Sequence, residues 1–170
     1  MKLGIYTNTA ELQKTRPWVY TPKGHSYEEG EEQVIFHLRP WTRTTQAIVD
    51  KRAKAKGVTI MDADKALKGI GQGDKKAEAY TRELADFLIA NWENVVFAND
   101  AAFPDDDGNM IEYKKGEPIP CESRFKVFLF EDVEVAVEIV KAAQSFASLQ
   151  INEEVKNVER SSDGVAVPAN

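Results

Sequence analysis

The sequence predicts a mainly helical fold with a small β component, arranged as a single helical domain. Two stretches carry the helical prediction. In residues 74–92, apolar side chains recur at three- and four-residue spacing, the pattern of a helix that packs one face on a core. In residues 132–150, two apolar stripes cover more than half of the helix circumference, which indicates burial by several neighbours or an interface.

The β component is predicted in an extended, strand-rich N-terminal segment, residues 1–40. Residues 3–6 and 18–20 are expected to form short strands. In residues 34–38 apolar side chains alternate with others, as in a half-buried strand. Pro40 ends that strand because proline cannot donate to a ladder.

The helical domain is predicted to cover residues 41–160. It opens with a helix capped at Thr42 or Thr44 and stopped by Gly57. A small hairpin is expected near residues 95–113, around the acidic turn Asp-Asp-Asp-Gly, and a Phe-rich helix from residue 122 or 123. The end of the chain, residues 161–170, has little to pack and is predicted to be a flexible tail.

Composition bounds the classes of function. The chain has 170 residues, 42% of them hydrophobic and 29% charged, so a folded core is expected. The net charge of −6 argues against nucleic-acid binding, which needs clustered cations. No apolar run reaches the roughly 18 residues that span a membrane. The single cysteine, Cys121, fits a reducing compartment, so a cytoplasmic location is expected.

Two sequence patterns that would indicate a bound calcium ion or phosphate each lack residues that the motif requires. With Gly108 at the sixth place of an EF-hand loop, Phe103 and Lys114 occupy the first and twelfth places, where acids are needed. The glycines of residues 69–73 are followed by Asp74, a carboxylate where a bound phosphate would sit. An acidic turn and a linker are therefore the better interpretations.

A metal or catalytic site is the least supported hypothesis. His25 lies in a loop with four glutamates, at residues 28, 29, 31 and 32, so a small metal-binding or enzymatic module is conceivable. No closely spaced His or Cys partner accompanies it, and a solvated loop explains the composition better. No pair of acids stands out for acid–base catalysis. We therefore expect no enzyme and no cofactor.

The remaining candidates for a functional site are aromatic side chains and one arginine. For any one of them, core packing is the favoured interpretation. The alternative interpretation is that some of them form a partner-binding surface, because aromatic residues and Arg dominate the energetics of protein interfaces. The candidate partner-binding residues are Arg39, Trp41, Trp92, Phe125, Phe128 and Phe130.

The order of several sequence segments along the chain is also found in another group of proteins. A helix ends in LIANWENV (88–95), and DDDG (105–108), GEPIPC (116–121) and a Phe-Leu helix (125–130) come after it. Upstream, VIFHLRPWT (34–42) enters a helix. This order resembles that of small tail-region proteins of tailed bacteriophages and prophages, the tail assembly chaperones. Its anchors are Arg39, Trp92, Gly108 and Pro120.

The resemblance implies a mainly helical protein that binds the long tape-measure protein and keeps it soluble until the tail tube polymerises around it. It implies no cofactor and no catalytic residues. Residues 1–32 and the 69–73 linker depart from the pattern. They leave open an alternative function, a structural tail or virion component that associates with itself.

Overall fold

The computed structural model describes residues 14–162, with side chains to residue 147. The predicted strand at residues 3–6 lies outside the described residues, as do residues 163–170 of the predicted tail. The helices are α1 (Arg43–Ala55), α2 (Ala63–Ile70), α3 (Lys75–Leu88), α4 (Ser123–Glu131) and α5 (Val133–Ser162). The strands are β1 (Arg16–Tyr20), β2 (Val34–Leu38), β3 (Ile89–Glu93), β4 (Ala101–Pro104) and β5 (Met110–Tyr113).

Strands β1, β2 and β3 form an antiparallel sheet with β2 in the centre. In its register Trp18 pairs with Phe36, and Phe36 pairs with Trp92. A bulge lies between His37 and Leu38. Strands β4 and β5 form a separate antiparallel pair. The sheet therefore joins the predicted N-terminal segment to a strand from inside the predicted helical domain.

The prediction of a mainly helical fold is wrong, because the fold is mixed α/β with two antiparallel sheets. The predicted helix over residues 74–92 ends at Leu88, and the chain continues directly as β3. No Gly or Pro marks this junction, and Ile89 and Trp92 continue the helical spacing. Pairing with β2 outweighs that local preference, since it lets Trp92 pack edge-on against Phe36.

The hairpin near residues 95–113 is present with a different first strand. The return strand β5 pairs with β4, with Phe103 opposite Ile111. Val96, in the segment expected to supply the first strand, instead forms an isolated bridge with Pro118. The hairpin therefore stands apart from the three-stranded sheet and packs against α4.

Helix α1 is capped by Thr42, one of the two caps that the sequence pattern predicts. The Thr42 hydroxyl accepts a hydrogen bond from the Thr45 N–H, and the Thr45 hydroxyl oxygen accepts one from the Thr42 N–H, a reciprocal capping box. The Thr45 hydroxyl also donates to the carbonyl of Pro40 at 2.9 Å. Gly57, with φ of 72°, follows the end of the helix.

Helix α3 supplies the centre of the core. Tyr80, Leu84, Phe87 and Leu88 are all 0% exposed, so the predicted stripe is confirmed. The Tyr80 hydroxyl donates to the carboxylate of Asp50 in α1 at 2.8 Å, which satisfies a polar group at the edge of the core. Burial, and then this hydrogen bond, raise the pKa of Tyr80.

Helix α5 packs on the core through a narrow face of small and aliphatic residues. This face lies between the two predicted stripes, and Val133, Val135 and Val137 of those stripes are only half-buried. The backbone N–H of Trp41 donates a hydrogen bond to the Ala143 carbonyl of α5 at 3.0 Å. Within residues 14–162, no helix combines the length and apolar character needed to cross a bilayer. Among the α5 residues with described side chains, the most buried are Ala136, Ile139, Val140 and Ala143.

Candidate protein-binding surface

The six residues predicted to bind a partner fall into two groups. Four of them are core residues that a partner could not reach without local opening. Arg39 is half-buried. Phe128 is 46% exposed and is the one of the six that faces solvent as a large apolar side chain. The four buried residues are Trp41, Trp92, Phe125 and Phe130.

Arg39 has a structural role. Its guanidinium donates to the carbonyl of Phe87 at 2.6 Å and lies 5.5 Å from the centre of the Phe87 ring. Arg52 approaches the same ring at 5.6 Å. Burial and then the charge of Arg52 lower the pKa of Arg39. These contacts hold β2, α1 and α3 together at the end of the sheet.

Trp92 joins the sheet to the segment that leads into α4. Its indole N–H donates to the carbonyl of Ile119 at 2.7 Å. The Ile119 N–H in turn donates to the carbonyl of Val95 at 2.8 Å. These bonds bring the 95–97 and 118–120 segments together beside the N-terminal end of α4. The sequence pattern predicts a helical Trp92, whereas its position in β3 brings it next to this segment.

An aromatic cluster fills the space between the hairpin and α4. Phe97 stacks on Tyr113 with 4.6 Å between ring centroids. Phe103 packs edge-on against Phe125, with 5.3 Å between ring centroids, and lies at a tilt against Phe128, with 5.1 Å between centroids. The cluster is buried at Phe97 and Phe125 and becomes progressively exposed towards Phe128. Phe128 is thus the solvent-facing end of a continuous aromatic layer.

Arg124 ties the hairpin to α4. Its guanidinium donates to the Pro104 carbonyl at 2.8 Å and to the Tyr113 hydroxyl at 3.2 Å. Its Nε donates to Glu122 at 2.7 Å, and the guanidinium lies 4.7 Å from the centre of the Phe125 ring. Three of the five N–H donors of an arginine are therefore used within the chain.

Two clefts flank Phe128. The first, of about 180 Å³, has an entirely apolar lining that includes Trp92, Ile119 and Leu129. The second, of about 230 Å³, has a charged rim that includes Arg82. Phe103 and Phe128 line both clefts. We call this region the Phe128 surface, and define it by Phe103, Pro104, Arg124, Val127, Phe128 and Glu131.

A third depression, of about 450 Å³, continues from the second cleft along α3 and α4 and shares Arg82 and Glu131 with it. Thr81 also lines it. The Thr81 hydroxyl oxygen is buried and lacks a hydrogen-bond partner among the described residues. The depression has an apolar floor that includes Phe130 and a rim of both charge signs.

The acidic turn is a structural feature of the hairpin. One carboxylate oxygen of Asp105 accepts hydrogen bonds from the N–H groups of Asp107 and Asn109. The backbone bond from Asn109 is the largest cause of the lowered pKa of the Asp105 carboxyl. Bonds of this kind are what an acidic residue at the start of a tight turn supplies.

The glycine segment is a packed turn and not a loose linker. Gly69 lies inside α2, where an added Cβ would stand 2.4 Å from the Cβ of Ala77 in α3. The Asp74 carboxylate accepts hydrogen bonds from the N–H groups of Lys76 and Ala77, so it occupies the N-terminus of α3 itself. The turn brings α2 and α3 into close contact.

Outside the Phe128 surface, few of the described side chains could bind a metal ion or act as a nucleophile. His25 contacts Glu31 at 3.1 Å in an exposed loop. Among the side chains that the structure describes, in residues 14–147, no three from His, Cys, Asp or Glu come close enough to share a metal ion. Burial raises the pKa of the Cys121 thiol, whose sulfur lies 3.9 Å from the carbonyl oxygen of Ala90. A high pKa makes a thiol a poor nucleophile.

The sequence predicts little of the Phe128 surface. Of its six residues only Phe128 is among the predicted partner-binding residues, although Val127 also lies in the Phe-rich segment 125–130. A usable signal was present in α4, where Arg124, Val127, Phe128 and Glu131 have the spacing of one helix face. Comparison of the chain with protein-family models, curated proteins and solved structures finds no match.

Proposed function

We propose that this chain is a protein-binding module that holds an amphipathic helix of a partner protein against the Phe128 surface. One observation carries the proposal: Phe128 is 46% exposed at the end of an aromatic layer, with a cleft on each side. Exposed aromatic side chains beside apolar clefts are typical of the centres of protein interfaces. A helix in a groove is recognised by apolar anchors at three- and four-residue spacing.

The shape and charge of the surface support a helical partner. The apolar cleft accepts one large side chain, and the rim of the second cleft offers Arg82 and Glu131 to polar groups on either side of the anchor. Covering Phe128 and its neighbours removes apolar area from water at about 25 cal/mol per Å². The polar rim then fixes the orientation of the partner.

The resemblance to tail assembly chaperones indicates which partner to test first. On that resemblance we propose a tape-measure-type tail protein, a long helical chain that exposes an apolar face before the tail tube forms around it. Such a face matches a surface that presents one aromatic ridge between two clefts. This proposal concerns the partner, and the mixed α/β fold differs from the mainly helical fold that the resemblance implies.

Co-expression tests the proposal. A tape-measure-type protein encoded by a gene that flanks this one is expected to be soluble and to co-purify with the wild-type chain. The Phe128→Ser variant is expected to lose most of the complex. Ile60→Ser is a matched control, since Ile60 is also 46% exposed but lies in the α1–α2 connection. A tape-measure-type protein that stays insoluble beside the folded wild-type chain would contradict the proposal.

A further inference from the structure

The outward face of α4 is self-complementary. Arg124, Val127, Phe128 and Glu131 lie at positions i, i+3, i+4 and i+7, so they share one side of the helix. The midpoint of this stripe falls between Val127 and Phe128. Apolar side chains therefore occupy its centre, and opposite charges stand at equal distances from the centre.

We propose that a second copy of this chain binds the same stripe, with the two α4 helices antiparallel about a two-fold axis. This arrangement places Arg124 of each copy opposite Glu131 of the other, and Phe128 of each copy against Val127 of the other. Both ion pairs form at once because a two-fold interface repeats every contact. A parallel arrangement would instead bring like charges together.

The charged groups are available for these pairs. Glu131 is exposed, and its carboxylate makes no hydrogen bond or ion pair with another of the described residues. Arg124 keeps two of its five N–H donors after its bonds to Glu122, Pro104 and Tyr113. Its guanidinium is held in place by those bonds, so little side-chain freedom is lost when a second copy binds.

The expected dimer is weak. Helix α4 has nine residues, which corresponds to a length of about 13 Å. The neighbouring hairpin adds Phe103 and Pro104, which line the same cleft as Val127 and Phe128. An interface of this size lies at the low end for protein complexes, so association is expected to depend on concentration.

A second copy would compete with the partner helix proposed above, because both cover Phe128. Dimerisation itself does not rest on the proposed function and is measured without any partner. A monomeric chain that still binds a tape-measure-type protein would overturn this inference alone. A chain that dimerises but binds no such protein would support this inference and contradict the proposed function.

Sedimentation velocity of the pure chain tests the inference. Between about 10 µM and about 500 µM, the wild type is expected to shift from monomer to dimer. Glu131→Arg places two cations opposite each other at both ends of the stripe, and is expected to weaken association at least about tenfold. Arg124→Glu is expected to do the same with two acids. The double variant restores both ion pairs in reversed order and is expected to dimerise again.

The controls separate association from folding. Ile60→Ser is expected to dimerise as the wild type does, and near-ultraviolet circular dichroism checks the packing of each variant. Glu131→Arg changes an exposed side chain and is expected to fold normally. If Arg124→Glu disrupts the hairpin, then Glu131→Arg and Phe128→Ser decide the question, since both must weaken the dimer. A wild type that is monomeric throughout, a Glu131→Arg variant that associates unchanged, or a folded double variant that stays monomeric would overturn the inference.

Discussion

Two buried threonines have hydroxyl groups in opposite situations. The Thr45 hydroxyl donates to the Pro40 carbonyl and accepts from the Thr42 N–H, whereas the Thr81 hydroxyl has no partner among the described residues. Thr45→Val is expected to lower the free energy of unfolding by about 1–3 kcal/mol, because it leaves backbone polar groups unsatisfied. Thr81→Val is expected to be neutral or to stabilise by up to about 1 kcal/mol.

Urea denaturation of the two threonine variants checks this expectation. Thr→Val conserves the shape of the side chain, so the pair compares hydroxyl groups rather than packing. A loss at Thr81 as large as the loss at Thr45 would mean that the Thr81 hydroxyl has a partner that the described contacts do not include.

A second residue-scale prediction concerns Gly69 and Gly71, two glycines at the C-terminal end of α2. Gly69→Ala would force α2 and α3 apart, since the new Cβ stands 2.4 Å from the Cβ of Ala77. We expect a destabilisation of about 1–3 kcal/mol. At Gly71 the nearest atom to an added Cβ is the Lys68 carbonyl oxygen at 3.8 Å, and φ is −63°.

Gly71→Ala is therefore the matched control, and is expected to be neutral or to stabilise by about 0.4–1 kcal/mol. Thermal unfolding of both variants compares them directly. Equal stability of the two alanine variants would argue against the close contact between α2 and α3.

At the scale of elements, Asp86 joins α3 to α4. Its carboxylate accepts hydrogen bonds from the Ser123 hydroxyl and from the Lys126 ammonium, the latter at 3.3 Å. Burial by itself raises the pKa of Asp86, but the bond from Ser123 and the charge of Lys126 outweigh it, and the pKa is lowered. A lowered pKa in the folded state means that the carboxylate stabilises the fold above its unfolded pKa, and that this contribution is lost as the pH falls through the folded pKa.

Asp86→Asn is therefore expected to be less stable than the wild type at about pH 7, and the difference is expected to shrink below about pH 4. Urea denaturation at a series of pH values measures it. Asp106→Asn, in the exposed hairpin turn, is the control for a general effect of losing an acid. A difference between wild type and Asp86→Asn that stays constant down to about pH 3 would show that Asp86 acts without its charge.

The elements that the sequence predicts are those with local signals. The cap at Thr42, the alternation in β2 and the stripe of α3 each depend on residues a few positions apart, and each is confirmed. Strand β3 was missed because its identity depends on pairing with β2, more than fifty residues earlier in the chain. Propensity is a weak guide where such long-range pairing decides the structure.

At the scale of the whole molecule, only Phe128 of the six predicted partner-binding residues belongs to the Phe128 surface. Helix α4 reads Phe-Lys-Val-Phe-Leu-Phe in its centre, so both of its faces carry apolar residues. Lys126 is 8% exposed and Phe128 is 46% exposed, the reverse of what polarity alone suggests. The ion pair with Asp86 lets Lys126 lie on the buried face, and it turns Phe128 towards solvent.

Titration calorimetry tests most directly whether Phe128 is the anchor of a protein-binding surface. A helical segment of a tape-measure-type protein is titrated into the wild type, Phe128→Ser and Ile60→Ser. We expect Phe128→Ser to weaken binding by at least about tenfold, and Ile60→Ser to bind as the wild type does. Equal affinity for all three, or no binding to the folded wild type, would contradict the claim.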